Sequence, residues 1–228
     1  MSPLRTLAFL SALVTTTACA TPQTPATGVG TPLAPERLAT PVTPAGTDPK
    51  GGFAASGGAE DEPEVLAALP KEIESFTYEG FKYFSDGSGG FSLRYGNERK
   101  RRLADVYIYP VADENREMTH EKLVLGSTQA TMRAIGEAVR QGLYANFNVL
   151  TAATKPRGVR TVARVQATYL RQNLASYTLV YQTEHDGTLL KIRLSMPDNE
   201  SNRTSAEWDR FAERLFELIE QNLEATAA

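Results

Sequence analysis

The 228-residue chain reads as an α+β protein, an antiparallel β-sheet packed with two long helices. Three observations predict this class. Runs of alternating apolar and polar residues recur between turn signals from about residue 76 to residue 196. Asp186-Gly187 stands between two such runs, the dipeptide of a type I′ hairpin turn. Two other stretches, 119–142 and 204–224, instead carry apolar residues at helical spacing.

Each element follows in order. Phe76–Phe84 and Phe91–Tyr95 are rich in aromatics and flank Asp86-Gly-Ser-Gly-Gly90, which predicts a hairpin. Ala104–Tyr109 is a strand ended by Pro110. From Thr119 to about Gly142, Val124, Thr128, Met132, Ile135 and Val139 fall on one helical face, and Gly142 suits the C-terminal cap. Tyr144–Thr151 and Val159–Tyr169 are the next strands. The hairpin over Ser176–Met196 is the most sharply specified. Its two-residue loop sets Tyr181 opposite Ile192, Leu179 opposite Leu194 and Tyr177 opposite Met196, all on one face, with Gln182–Lys191 and Val180–Arg193 on the other. Thr204-Ser-Ala-Glu207 has the form of a capping box. Behind it Trp208, Phe211, Ala212, Leu215, Leu218, Ile219 and Leu223 form an apolar stripe. Its opposite face is net acidic, which suits a helix packed on a sheet better than one lying on a membrane.

The domain expected over residues 70–228 has the order β-β-β-α-β-β-β-β-α, which over roughly residues 70 to 224 resembles the PsbP/Mog1-type α-β-α sandwich, a fold also found in bacterial envelope lipoproteins. The resemblance rests on element order. It implies a non-enzymatic accessory or binding domain and carries no site residue with it.

The N-terminus has a different character. A short apolar run, Leu7–Val14, follows Arg5 and is too brief to span a bilayer. Thr16-Thr-Ala-Cys19 then resembles the lipobox of bacterial lipoproteins, with Thr16 where that family usually has Leu. The resemblance implies a signal peptide over residues 1–18 and lipidation at Cys19, the only cysteine of the chain. One acyl chain, at about 0.8 kcal/mol per buried CH₂, binds only marginally, whereas two or three chains would hold. Ala18-Cys19-Ala20 is also an ordinary A-x-A cleavage site, and cutting after Ala20 would leave a soluble periplasmic or secreted protein. Ala20, rather than Asp, after the cysteine favours the outer membrane. Residues 19–69 are dominated by Pro, Thr, Ala and Gly, with an acidic patch at Glu60, Asp61, Glu62 and Glu64. They read as a disordered tether reaching roughly 35–40 Å.

Charge and motifs exclude several functions. Three of the 24 basic and six of the 27 acidic residues precede residue 70, leaving 21 of each in the domain. A neutral domain lacks the phosphate-seeking field of a nucleic-acid binder. His120-Glu121 has no second histidine at zincin spacing, and His185 reads as an exposed turn residue. There is no G-x-S-x-G elbow, P-loop or dinucleotide fingerprint, so no metal, cofactor or catalytic residue is expected. Asp105, Glu98 and Asp113 could supply carboxylates for hydrolysis, with nothing to favour one pair. The interval between Glu137 and Glu184 holds no acid. Within and beyond it, Arg160 and Arg164, with Lys191 and Arg193, could share one sheet face and meet an anionic partner. The acidic last helix could equally neutralise them. Arg99-Lys-Arg-Arg102 reads as a solvated turn. The expectation is a lipid-anchored, non-catalytic envelope domain, facing the periplasm, that binds an envelope protein or anionic polymer. The alternatives are a carboxylate hydrolase and a carrier of a small apolar ligand.

Overall fold

The computed structural model describes residues 63–84 and 89–227; Cys19, the signal-like leader, most of the expected tether and most of the Asp86–Gly90 turn lie outside them. Within this span the chain forms α1 (Glu64–Ala67), β1 (Glu72–Ile73), β2 (Phe76–Tyr83), β3 (Phe91–Asn97), β4 (Arg102–Pro110) and α2 (His120–Arg140). β5 (Ala145–Arg157), β6 (Arg160–Arg171), β7 (Leu174–His185), β8 (Thr188–Pro197), α3 (Glu200–Thr204) and α4 (Glu207–Ala227) follow. All eight strands join one antiparallel sheet in the order β1-β2-β3-β4-β8-β7-β6-β5. Two meanders, β1–β4 and β5–β8, meet at the β4–β8 pair, and α2 makes the crossover between them.

Local chemistry fixes the joints. Asp186 and Gly187 both take positive φ, as a type I′ turn demands, and the β7–β8 register is the expected one. Gln172 and Asn173 do the same between β6 and β7. Thr119 caps α2 by accepting the Lys122 amide, and Gly142, in the left-handed region, closes a Schellman motif in which Leu143 N–H reaches Ala138 and Gly142 N–H reaches Val139. The expected capping box at Thr204 is not formed. Thr204 ends α3, Ser205 Oγ accepts the Glu207 amide instead, and the Glu207 carboxylate is taken by Ser75 and Arg102.

Neighbouring residues of β7 show how the layers lie. Tyr181 donates to Asp209 of α4, while Gln182 bonds Thr128 and Thr131 of α2. Successive side chains on a strand point to opposite faces, so the two helices lie on opposite sides of the sheet. Under α4 is the apolar core: Trp208, Phe211, Leu215, Phe216 and Ile219 pack against Phe76, Leu93, Tyr95, Val106, Leu179, Ile192 and Leu194. Burying one such side chain contributes about 1.5–3 kcal/mol. Phe216, absent from the expected stripe, is fully buried with the Arg157 guanidinium 5.7 Å above its ring. The sheet nevertheless dominates, because α2 lies mainly over β5, β6 and β7 and meets β4 where Ser127 bonds Tyr109.

Two expectations about limits change. Val65, Leu66 and Leu69 are buried in the core, so the packed body begins before residue 70 and takes in the end of the expected tether. Arg102 is buried too, its guanidinium 4.2 Å from the Trp208 ring and bonded to Asn202 and Glu207; of the four basic residues, Arg99, Lys100 and Arg101 lie in the exposed turn. No described helix is long and apolar enough to cross a membrane.

Candidate anion-binding face

The α2 side of the sheet is polar at its centre. Cross-strand partners share a face, so the chains Arg94↔Asp105↔Arg193↔Val180 and Ser92↔Tyr107↔Lys191↔Gln182 run across β3, β4, β8 and β7 on that side. Arg94 Nε donates to Asp105 Oδ1 at 2.7 Å. Lys191, 9% exposed, holds its ammonium 4.2 Å from the Tyr107 ring and 6.0 Å from Tyr109. Arg193 lies 5.7 Å from the Tyr144 ring and 6.0 Å from Tyr169, and its Nη2 donates to the Tyr144 hydroxyl at 3.2 Å. Its Nε is buried and unpartnered.

This belt holds three cations and one carboxylate, which Arg94 already occupies; exposed Glu79 stands beside Arg94 at the rim. Ring faces attract cations, yet each contact returns only about 2 kcal/mol when desolvated. The strain shows in the protonation equilibria. Burial, reinforced by the Arg193 charge and only partly opposed by Asp105, pulls the Lys191 amine down to about 8. Burial also pushes the Tyr107 and Tyr109 phenols up, with Asp105 adding to the former and the Ser127 hydrogen bond opposing the latter. For Arg193, burial works against the charge and the oxygens of Tyr169, Tyr144 and Tyr107 outweigh it.

The four expected cations therefore do not share a face. Arg160 and Arg164 lie on the α4 side, since Arg164 pairs across strands with Tyr181 rather than with Val180 or Gln182. There the acidic helix engages them, as the alternative had it: Arg164 Nε donates to Asp209 at 3.0 Å, and Arg160 lies 3.4 Å from Glu220, whose two oxygens also accept from Arg157 Nη1 at 2.6 and 2.7 Å. The structure brings together only Lys191 and Arg193. Sequence reasoning missed Arg94 and the tyrosine walls, although the aromatic alternation of β4 carried their signal.

The histidines are both placed differently from a turn or a ligand set. A cleft of about 320 Å³ is lined by Val111, His120, Glu184 and Gly187 among others. In it His120 Nδ1 lies 2.8 Å from Glu184 Oε2, while Nε2 accepts the Thr161 amide at 2.7 Å and Glu184 Oε1 accepts that of Gly187. Both imidazole nitrogens are thus engaged, and the pair braces α2 to the β7–β8 turn rather than presenting a free base. His185 is not exposed but 1% accessible, its Nε2 3.5 Å from Asp186 and 3.6 Å from Glu224. Of the carboxylates named above, Asp105 is held by Arg94, Asp113 pairs with Arg116, and Glu98 begins the exposed turn after β3. No group of three or more metal-ligating side chains occurs among the described residues.

Among known proteins, no family model matches the chain and no curated protein matches it. Solved structures similar to the chain at low identity include the following two. One is the solution structure of cyanobacterial PsbP from Synechocystis, with 14% identity and a TM-score of 0.44, covering 62% of this chain and 92% of that one. The other is a Pseudomonas aeruginosa protein of unknown function, with 11% identity and a TM-score of 0.34, covering 47% and 68%. The fold assignment rests on the strand order and registers above, and neither likeness carries a function over.

Proposed function

We propose that the chain is a tethered, non-catalytic envelope module that holds an anionic group of a partner against Lys191 and Arg193. The observation that supports the reading is the charge imbalance of the belt. Lys191, buried and without a carboxylate of its own, is costly to keep charged, and a ligand anion set between it and Arg193 would recover that cost. The tyrosine walls would exclude water from the contact. In this reading the domain is of the PsbP/Mog1 type, Cys19 is acylated, the outer membrane holds the anchor, and the partner is an envelope protein or an anionic envelope polymer.

The test is photo-crosslinking in intact cells with a photoreactive residue at exposed Leu143, beside Tyr144. The reading expects an adduct that disappears in Lys191→Met and Arg193→Met variants of unchanged abundance. An adduct that persists in both overturns it. For the anchor, intact-mass measurement of the mature N-terminus should return diacylglyceryl-Cys19; a free Thr21 refutes it.

A further inference from the structure

Lys191 sits where two separate effects make an amine nucleophilic. β4 turns Tyr107 and Tyr109 toward it, with the nitrogen 4.2 and 6.0 Å from the two rings, and only 9% of the residue is exposed. Two residues along β8, on the same face, stands the permanent charge of Arg193. Desolvation and a neighbouring cation both favour the neutral amine. Asp105 of β4 opposes them, but Arg94 of β3 already holds its carboxylate. From the other side Gln182 of β7, the partner of Lys191, is occupied by Thr128 and Thr131 of α2, and Ser127 of α2 holds the Tyr109 hydroxyl. With the amine drawn down to about 8, roughly one Lys191 in ten is the free base at pH 7, against about one in 2,500 for an ordinary lysine. Arg193 supplies the complementary group. It is half-buried, its Nη2 is aimed by the Tyr144 hydroxyl at 3.2 Å, and its Nε is buried and unpartnered.

We propose that this pair takes an oxo acid, a group bearing both a carboxylate and a ketone or aldehyde: Arg193 holds the carboxylate, and Lys191 condenses with the carbonyl to a reversible imine. The proposal rests on the anion-binding reading above and names the class of anion. The free amine adds to the carbonyl carbon, and C=N then replaces C=O. Both amine hydrogens leave with the oxygen as water, so no oxidant or reductant is needed. A guanidinium suits a carboxylate in geometry as well as charge. A strand's two-residue repeat sets the two side chains about 7 Å apart at their Cα atoms, which suits a small molecule with both functions close together. The rings that keep water from the amine also keep it from the imine, whose hydrolysis they slow.

The test is reductive trapping on the full chain in detergent at pH 7. Glyoxylate with cyanoborohydride converts an imine into a stable carboxymethyl amine, which peptide mass spectrometry reads at each lysine. Lys191 should be labelled about tenfold faster than exposed Lys82 and Lys122, or more, because so much more of it is free base. Acetaldehyde, which lacks the carboxylate, should favour Lys191 over the same two lysines less strongly. Arg193→Met should remove that difference between the two aldehydes. Lys191 labelled no faster than Lys82 and Lys122, or equal preference for the two aldehydes in the intact chain, overturns the proposal. If that occurs while the Leu143 adduct still depends on Lys191 and Arg193, the anion-binding reading stands alone; an adduct indifferent to both residues overturns the two together.

Discussion

Lys191 makes the stability of this domain rise with pH where most proteins are flat. Its amine is held at about 8 in the folded chain against an ordinary 10.5, with burial as the largest cause. A depressed lysine pKa means that the unfolded chain binds the proton more tightly than the folded one. Between pH 8 and 10.5 the unfolded state therefore carries more protons, and stability increases with pH. At pH 7 both states are protonated and the full penalty applies, about 3 kcal/mol for a shift of this size. By pH 9 the folded amine is largely neutral, so the gain from pH 7 to pH 9 is about 1.3 kcal/mol. For a domain of this size that corresponds to roughly 3–5 °C in Tm. The buried tyrosines act in the opposite sense as pH approaches their ordinary value near 10, because the unfolded phenols then ionise first, so the window closes at pH 9. Urea denaturation at half-unit steps from pH 7 to pH 9 is the assay. Lys191→Met should be more stable than the parent at pH 7 by about 1–3 kcal/mol, as buried charges replaced by apolar groups often are, and its profile should be flat in this window. A parent whose stability is flat or falling from pH 8 to pH 9 refutes the reasoning, as does a Met variant with the parent's slope.

Glu220→Gln should cost about 2–4 kcal/mol in urea unfolding at pH 7, because it leaves Arg157 and Arg160 against the sheet without their shared carboxylate. Arg157→Met in the same background should restore part of that loss. Trp208→Ala should cost about 3–5 kcal/mol by the same measurement, since the indole is fully buried, donates to Asn202 at 2.6 Å and supports the Arg102 guanidinium. Gly187→Val, at φ 78°, should destabilise by about 1–2 kcal/mol and slow refolding, read by stopped-flow fluorescence of Trp208.

Where a turn announces its own geometry, the sequence determines pairing to the residue. Asp186-Gly187 did so for β7–β8, and every expected partner there is found. The error about Arg160 and Arg164 came from the turn before. Gln172-Asn173 is also a two-residue turn of positive φ, and the Arg171↔Leu174 pairing it sets makes Arg164 face Tyr181. Gln is an unusual residue for that conformation, so only Asn173 hinted at it. Had that turn been read, simple parity would have put the two arginines under α4. The other misses are tertiary. Val65, Leu66 and Leu69 are too few to announce a helix and are recruited by the core. His185 follows polar Glu184 at a hairpin end yet is covered by α4, which no local pattern records. The α2 face was least legible, because a belt of tyrosines and cations has no periodic signature of its own.

The entry segment has a mechanical consequence. The body starts with α1, whose apolar residues sit in the core, and continues into a two-residue edge strand held by the pairs Glu72↔Thr77 and Ile73↔Phe76, with Tyr95 holding the Pro70 carbonyl. A pull on the chain before Pro63 would load these few bonds in sequence, as a zipper is opened, and not the long ladders together. The first yielding under force would thus be local and reversible, freeing residues 63–75 while β2–β8 and α4 stay assembled.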